Sequence, residues 1–316
     1  MRSKSDGTMA QTRRSRVIRS RSRRRTRRSA ASPEHSHRLV LAALQTRWTV
    51  FVRQLSRCKP RGGKRRFSEP AVHDLRVATR RLIAAIDLLL IVSSSVEVAG
   101  TREQLKRLLK SMGPLRDTQV QLLHLEKLVP EFPMPEQFRT VLLLREQTTL
   151  KRIARRLGRL QIAALRREVA AGIRSLKVLA RTPQMKSAVD LALRGALASS
   201  FARVAGRRRR IDPARPATIH KMRVAFKKFR YMTEILRPDA EEKLHKAMNA
   251  YQTRMGDIND MEVLISHITS FATRGPARPP VALANVQQKL RRQRVALVRM
   301  FVRMADEFHG FYSSPT

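Results

Sequence analysis

The stretch VHDLRVATRRLIAAIDLL, residues Val72–Leu89, decides the fold because a variant of it, IHKMRVAFKKFRYMTEIL, returns at Ile219–Leu236. Both stretches space their apolar residues by three and four, the pattern of an amphipathic α-helix. The apolar side consists of Leu75, Ala78, Leu82, Ile86 and Leu89 in the first copy, and of Met222, Ala225, Phe229, Thr233 and Leu236 in the second. At about 100° per residue, the opposite side carries His73, Arg76 and Arg80 in the first copy, and His220, Arg223, Lys227 and Arg230 in the second. Two matched helices predict two related halves.

A second pair of matched segments supports an internal duplication. MGPLRDTQV begins at Met112 and MGDINDMEV at Met255, so that Gly113 aligns with Gly256. The offsets nearly agree, at 220 − 73 = 147 for the histidines and 256 − 113 = 143 for the glycines. In each copy we expect the glycine to end one helix and the aspartate four residues later to cap or start the next.

The whole chain has the pattern of an all-α protein. Beyond residue 32, nearly every segment has helical periodicity, and Pro and Gly residues separate the segments. Helices joined by short connections pack as bundles. We expect a folded region at 33–312, with a first half at about 33–181 and a second half at about 182–312. Residues 1–32 are rich in Arg and Ser with one acid, Asp6, and predict a disordered basic arm. A transit peptide is the alternative, although the arm lacks an apolar face.

The net charge points to a polyanionic partner. The 316 residues include 67 Lys and Arg against 24 Asp and Glu, a formal charge of +43. This is far more than solubility requires. Charge alone does not choose among DNA, RNA, an anionic membrane surface and inorganic polyphosphate.

Cysteine content and hydropathy favour a cytoplasmic, soluble protein. The single cysteine, Cys58, excludes an intramolecular disulfide and a zinc-thiolate cluster. No apolar run approaches the roughly 20 residues that span a bilayer. We therefore expect no membrane partner.

The basic side of the repeated helix suits a linear anion. His73, Arg76 and Arg80 extend about 10.5 Å along the helix, so their donors form a ladder rather than a pocket. Guanidinium groups bind phosphate oxygens as flat forks. A solvated helix face is the alternative, but the ladder carries one sign of charge and recurs in both halves. Arg81 and Lys228 lie at about 80° from the histidine direction and are either flanking contacts or solvated.

Each ladder begins with a histidine near the start of its helix. Pro70 and Pro216 mark these starts, so the positive end of each helix dipole adds to the same site. Histidine beside arginines is harder to protonate until an anion arrives, which predicts tighter binding as pH falls from about 8 toward about 6. The alternative role for His73 and His220 is that of hydrogen-bonded residues at a seam of the bundle.

The pattern H-x-x-R-V-x-x-[RK]-[RK], present twice and each time followed by G-x-x-x-D, resembles the CHAD domain, a family named for its histidines and its α-helices. The resemblance extends over about residues 35–311. It implies two helical bundles related by a pseudo-twofold axis, with a central basic groove or pore that binds inorganic polyphosphate. Some relatives are found with polyphosphate granules, which implies the same location in the cytoplasm here. By position, the resemblance assigns binding to His73, Arg76, Arg80, Arg81, His220, Arg223, Lys227, Lys228 and Arg230.

One position departs from the family pattern. Ile83 stands in the first copy where the second copy has the basic residue Arg230. This predicts that the second half holds the ligand more tightly. Removing charge at Arg223 and Arg230 together should then weaken binding more than removing it at Arg76 and Arg80.

Two other functions are compatible with the composition. The sequence has neither the E-x-E-x-K strand of the triphosphatases fused to some family members nor a phosphate-binding P-loop. Asp87 and Glu234, the acids on the two repeated helices, are expected to pair with neighbouring Arg or Lys. We therefore expect a binding protein without catalytic residues, metal or cofactor, and keep an accessory or enzymatic role in polyphosphate or triphosphate metabolism as a further alternative.

Non-specific binding of DNA or RNA is the main alternative, including contact through the basic arm. Trp48 is the only tryptophan and the Phe residues have core spacing, so the sequence predicts no platform for stacking bases. Competition between polyphosphate and DNA distinguishes the two functions.

Overall fold

The computed structural model describes residues 36–58, 68–128, 136–240, 242–274 and 281–312. Within these ranges the chain is helical and forms no strand, which confirms the all-α prediction. The predicted arm at 1–32 lies outside the described residues. The helices are α1 Ser36–Arg57, α2 Glu69–Val92, α3 Val96–Ser111, α4 Gly113–Leu128, α5 Glu136–Gly158, α6 Ile162–Leu179, α7 Pro183–Arg208, α8 Pro216–Leu236, α9 Glu242–Arg274 and α10 Val281–Arg303, followed by a 3₁₀ helix at Ala305–Phe311.

The two repeated stretches form α2 and α8, as predicted. The Ser68 side chain caps α2 by accepting a hydrogen bond from the Ala71 amide, and Pro70 lies in the first turn. Helix α8 begins at Pro216 itself. Proline suits these positions because the amides of a first helical turn have no partner within the helix. Both histidines of the motif therefore lie near the start of their helices.

Of the prediction for the matched glycines and aspartates, only the helix break near Gly113 is confirmed. Gly113 starts α4 instead of ending α3, and Asp117 and Asp260 lie inside helices, so neither caps or starts one. Helix α3 ends at Ser111 and α4 begins at Gly113, whereas α9 continues through Gly256 and Asp260 without interruption. The difference follows from the next residue. Pro114 lacks an amide hydrogen and favours a helix start, while Asp257 at the equivalent position lets the helix continue.

The buried core is shared between the two predicted halves. Its main cluster contains residues of all ten described α-helices and continues to the C-terminal 3₁₀ helix. A smaller cluster joins α4 and α5 to α9 and α10, with Phe138, Leu264 and Leu290 among its members. The halves therefore pack on each other extensively; the duplication itself stays a prediction.

Helix α2 lies at the centre of this packing. It contacts α1, α3, α4, α6, α7 and α8. The approach of α6 is close, because a Cβ atom added at Gly172 would lie 2.6 Å from Leu89 Cδ2 and 2.8 Å from Val98 Cγ2. On the basic side of α2, His73 is exposed and Arg80 is partly buried, whereas Arg76 is only 8% exposed.

Candidate anion-binding site

Helices α2 and α8 pack against each other and bring together cations from their basic sides. Arg76 and Arg80 of α2 interact electrostatically with Arg223 of α8 and with Lys227 one turn further on. We call Arg76, Arg80, Arg223 and Lys227 the basic cluster. Among the described residues, none of the four forms an ion pair with a carboxylate. The two ladders predicted from the sequence therefore meet at these four residues, without their histidines.

Burial and mutual repulsion destabilise the charged forms in the basic cluster. Loss of hydration, followed by the charges of Arg223, Arg80 and Arg76, lowers the pKa of Lys227 to about 6. Loss of hydration and the nearby Arg80 lower the pKa of Arg76 to about 10, and burial lowers the pKa of Arg80. Like charges held in partial burial are unfavourable unless an anion joins them. The cluster is therefore electrostatically prepared for an anionic ligand.

Hydrogen-bond donors in the cluster are incompletely satisfied. Arg76 donates from Nη1 to the carbonyl oxygen of Leu109 near the end of α3, at 3.4 Å. Arg223 Nε is buried and has no hydrogen-bond partner among the described residues. This guanidinium lies beside Gly256, where an added Cβ atom would make an ordinary contact of 3.5 Å with Arg223 Nη2. A buried donor without a partner is costly, and a phosphate oxygen is a suitable acceptor.

Acidic groups lie near the cluster without pairing with it. Burial raises the pKa of Asp117 on α4, an effect that Arg76 opposes and Asp260 of α9 reinforces. Burial and Asp260 also raise the pKa of Asp257. These carboxylates modulate the positive potential of the cluster but do not neutralise it.

Two reciprocal ion pairs fix α2 against α8. Arg81 Nε of α2 lies 3.3 Å from Glu234 Oε2 of α8, and Lys228 Nζ of α8 lies 3.7 Å from Asp87 Oδ2 of α2. The repeat offset relates the members of the pairs, since 81 + 147 = 228 and 87 + 147 = 234. Asp87 and Glu234 thus pair with basic residues as expected. Arg81 and Lys228 stabilise the helix packing and do not belong to the basic cluster.

Arg230 is held in a fixed network instead of joining the cluster. Its guanidinium contacts Glu234 at 3.2 Å, Gln252 at 3.0 Å and Asn249 at 3.2 Å, and its Cζ lies 4.7 Å from the centre of the Tyr231 ring. Only 8% of Arg230 is exposed. These contacts join α8 to α9 and leave few donors for a ligand.

The two motif histidines lie in different surroundings. His220 is exposed and its Nδ1 is hydrogen-bonded to Asn259 of α9. The side chain of His73 is half exposed, and its Nδ1 lies 3.5 Å from Asp74. His73 also lines a groove of about 880 Å³ with Arg47, Arg81 and Arg230. This groove contains acids as well as bases and does not include the four residues of the basic cluster.

Sequence reasoning did not assign Arg116 and Arg47. Arg116 on α4 lowers the pKa of both Arg76 and Arg80 and thus extends the positive region. Arg116 lies inside the matched MGPLRDTQV segment, so its charge could have marked it as a candidate binding residue. Arg47 on α1 donates to the Arg81 carbonyl at 2.9 Å and lies 3.9 Å from Glu234. No sequence pattern indicates Arg47, because its contact depends on how α1 packs.

The described residues contain neither a metal site nor a membrane-spanning helix. No group of three or more His, Cys, Asp or Glu side chains is placed to hold a metal ion. No helix in the described ranges combines the length and the apolar character that crossing a bilayer demands.

Together, the fold and the site define an all-α protein in which two basic helices face each other across a cationic cluster. The family model of the CHAD domain matches residues 51–269. The chain therefore belongs to the CHAD domain family, as its repeated motif predicted.

Solved structures support the same fold. The crystal structure of the CHAD domain from the plant Ricinus communis has a TM-score of 0.63 and 19% identity, over 88% of this chain and 92% of that one. PptA from Streptomyces chartreusis has a TM-score of 0.57 and 17% identity, over 85% of this chain and 98% of that one. A comparison with curated proteins found no match.

Proposed function

We propose that the protein binds inorganic polyphosphate, without altering it chemically, through the basic cluster between α2 and α8. The observation that carries this proposal is the set of four basic side chains, three arginines and Lys227, that share a partly buried site with no carboxylate of the described residues in ion-pair contact. An extended phosphate chain supplies several acceptors along the two helices. Membership of the CHAD family, in which relatives associate with polyphosphate, supports the same ligand.

The shape of the site favours polyphosphate over nucleic acid. The cluster lies between packed helices, and Arg76 is almost fully covered. A bare phosphate chain is thin enough to reach such donors, whereas the phosphates of a nucleic acid carry sugars and bases with them. Tyr231, which interacts electrostatically with Arg80, is buried and offers no exposed face for stacking.

The cluster supplies basic groups that bind and orient phosphates, and the nearby Asp117, Asp257 and Asp260 belong to no group of three or more described residues placed to hold a metal ion. We therefore propose a binding role. The location that we propose, on polyphosphate granules in the cytoplasm, rests on the family resemblance. Fluorescent tagging in cells with and without polyphosphate tests this location. A distribution that ignores the polymer would contradict it.

The binding test removes two charges from the cluster. Arg80→Gln with Arg223→Gln should raise the Kd for long-chain polyphosphate by at least about 100-fold, because each of the two lost charge-assisted hydrogen bonds is worth about 1.5–3 kcal/mol. The salt dependence should also weaken, by about 0.7 in the log–log slope for each lost phosphate contact. The control is Arg292→Gln with Arg299→Gln, two exposed residues of α10. Equal losses in the two double variants would refute the site.

A further inference from the structure

A second strongly basic surface lies between α3 and α5. It is a groove of about 540 Å³ whose lining includes Arg107 of α3 and Arg152, Arg155, Arg156 and Arg159 at the C-terminal end of α5. Gln104, Leu108 and Leu160 complete the lining, so the groove contains no acid and no aromatic ring. None of its five arginines forms an ion pair or side-chain hydrogen bond with another described residue.

Some exposed basic residues of this protein have an acidic neighbour on the same helix. Lys106 lies 3.0 Å from Glu103, and Lys246 lies 2.8 Å from Glu242. The segment KRIARRLGR at Lys151–Arg159 has no acid at any such spacing. The groove is therefore unlike an ordinary solvated face, where charges of both signs alternate.

Stabilisation of the α5 C-terminus does not account for this groove. Basic residues in a last helical turn interact favourably with the helix dipole, and the effect fades beyond that turn. The dipole effect explains only Arg155 and Arg156, which lie in the last turn of α5. Arg152 precedes that turn and Arg107 belongs to another helix, yet both point into the same groove.

We propose that the α3–α5 groove is a second binding site for a chain of closely spaced phosphates, separate from the basic cluster. Arg152, Arg155, Arg156 and Arg159 follow the i, i+3, i+4, i+7 spacing of one helix face and cover about 10.5 Å of helix axis. The three intervals average about 3.5 Å, similar to the roughly 3.4 Å between phosphates along one DNA strand, so spacing alone does not distinguish the two polymers. The groove lining offers no aromatic ring on which bases could stack, which favours a bare phosphate chain over a nucleic acid.

The two sites share no lining residue. Arg76 of the basic cluster donates to the carbonyl oxygen of Leu109, while Arg107 and Leu108 of the same helix line the groove. A short chain therefore occupies one site at a time. A long chain engages both sites, or two chains are joined by one protein. This inference rests on polyphosphate being the ligand and gives the protein the ability to cross-link it.

The test uses the full chain and polyphosphate too short to reach both sites. Isothermal titration calorimetry should give two bound chains per wild-type protein and one for the groove variant, which carries Arg152→Gln, Arg155→Gln, Arg156→Gln and Arg159→Gln. With long chains, the groove variant should still bind but should lose the turbidity that cross-linking produces. Glutamine keeps helix propensity close to that of arginine, and circular dichroism checks the fold. The control removes the same charge at the exposed residues Arg167, Arg203, Arg292 and Arg299, and should keep two sites and full turbidity.

Each failure has its own signature. One bound chain on the wild-type protein, lost on substitution of Arg80 and Arg223 and kept in the groove variant, would overturn the second site and leave the proposed function standing. No polyphosphate binding at all would overturn both. A groove variant that loses affinity for duplex DNA but keeps two polyphosphate sites would assign the groove to nucleic acid and overturn the inference. Equal losses in the groove variant and the scattered control would also overturn it.

Discussion

Polyphosphate binding should depend on pH through Lys227. Burial and the neighbouring arginines lower the pKa of Lys227 to about 6, so its amine is mostly neutral in the free protein at about pH 8. Bound phosphates favour the ammonium form and raise this pKa. Binding then takes up a proton, which means that affinity rises as pH falls from about 8. The rise levels off below about 6, where the free protein is already protonated.

The size of this effect follows from linkage. If the bound ligand returns the pKa of Lys227 to about 8 or above, affinity increases by about 25- to 50-fold between about pH 8 and about pH 6, or about 2 kcal/mol. Fluorescence anisotropy with labelled long-chain polyphosphate, at fixed salt, measures the increase. Long chains are needed because terminal phosphates, with a second pKa of about 6, are then a small fraction of the ligand.

Two substitutions separate Lys227 from the histidines. Lys227→Arg keeps the charge at every pH in the range, so it should bind more tightly than the wild type at about pH 8 and respond much less to pH. Lys227→Met removes the titrating group and should bind weakly with a similarly flat response. If both variants kept the pH response of the wild type, the role of Lys227 would be refuted. The pH response would then be assigned to His73 and His220.

The same pKa affects the stability of the ligand-free protein. In the unfolded chain Lys227 holds its proton up to about its ordinary pKa of 10.5, whereas in the folded protein it does so only below about 6. Between these values the unfolded state binds more protons, so the contribution of Lys227 makes stability fall as pH falls through this window, with no further change below about 6. Lys227→Met should remove this slope, as measured by urea unfolding at several pH values.

Three further predictions follow from the structure. Gly172→Ala should destabilise the protein by about 1–3 kcal/mol because the added methyl overlaps buried side chains of α2 and α3. The control, Gly195→Ala, changes an open helical position and should be neutral or stabilising by up to about 1 kcal/mol. Equal effects of the two substitutions in urea unfolding would refute the close packing of α6 against α2 and α3. Arg223→Gln should weaken polyphosphate binding more than Arg230→Gln. Arg230→Gln should mainly lower stability, because Arg230 already contacts Gln252 and Glu234. A larger loss of affinity in Arg230→Gln than in Arg223→Gln, in matched binding and unfolding titrations, would contradict this. Removal of residues 1–32 should lower affinity for duplex DNA more than affinity for polyphosphate, and an equal loss for both polymers in filter binding would contradict a separate role for the arm.

The fold was predictable because local and repeated patterns agree. Val72–Leu89 and Ile219–Leu236 have helical periodicity, and Pro70 and Pro216 mark their starts, so both helices were visible in sequence. The continuity of α9 through Gly256 was missed because a glycine inside a helix is indistinguishable in sequence from one that ends it. The informative residue was its neighbour, which is Pro114 in one copy and Asp257 in the other.

The candidate site was predictable in composition but not in arrangement. Helical spacing put Arg76, Arg80, Arg223 and Lys227 on the correct sides of α2 and α8. It could not show that the same sides would become partly buried, which is the origin of the low pKa of Lys227. Sequence also placed Arg230 with the ligand donors, because only its tertiary contacts show how fully it is held.

The expected asymmetry between the halves remains a prediction, although its basis changes. Ile83, the equivalent of Arg230 in the first copy, is 9% exposed and belongs to the core. This position therefore contributes packing rather than charge. Arg230 is committed to its own network on α8 and α9. Any difference between the halves should therefore arise from Arg223 and Lys227 rather than from Arg230.

Competition between two polymers on the full chain tests the central claim most directly. The protein is saturated with labelled duplex DNA at physiological salt, and long-chain polyphosphate is added at matched concentrations of phosphate charge. Polyphosphate should displace the DNA from the wild-type protein, and Arg80→Gln with Arg223→Gln should remove most of this advantage. DNA that stays bound to the wild type, or displacement that is the same with and without the two arginines, would contradict polyphosphate binding at the basic cluster.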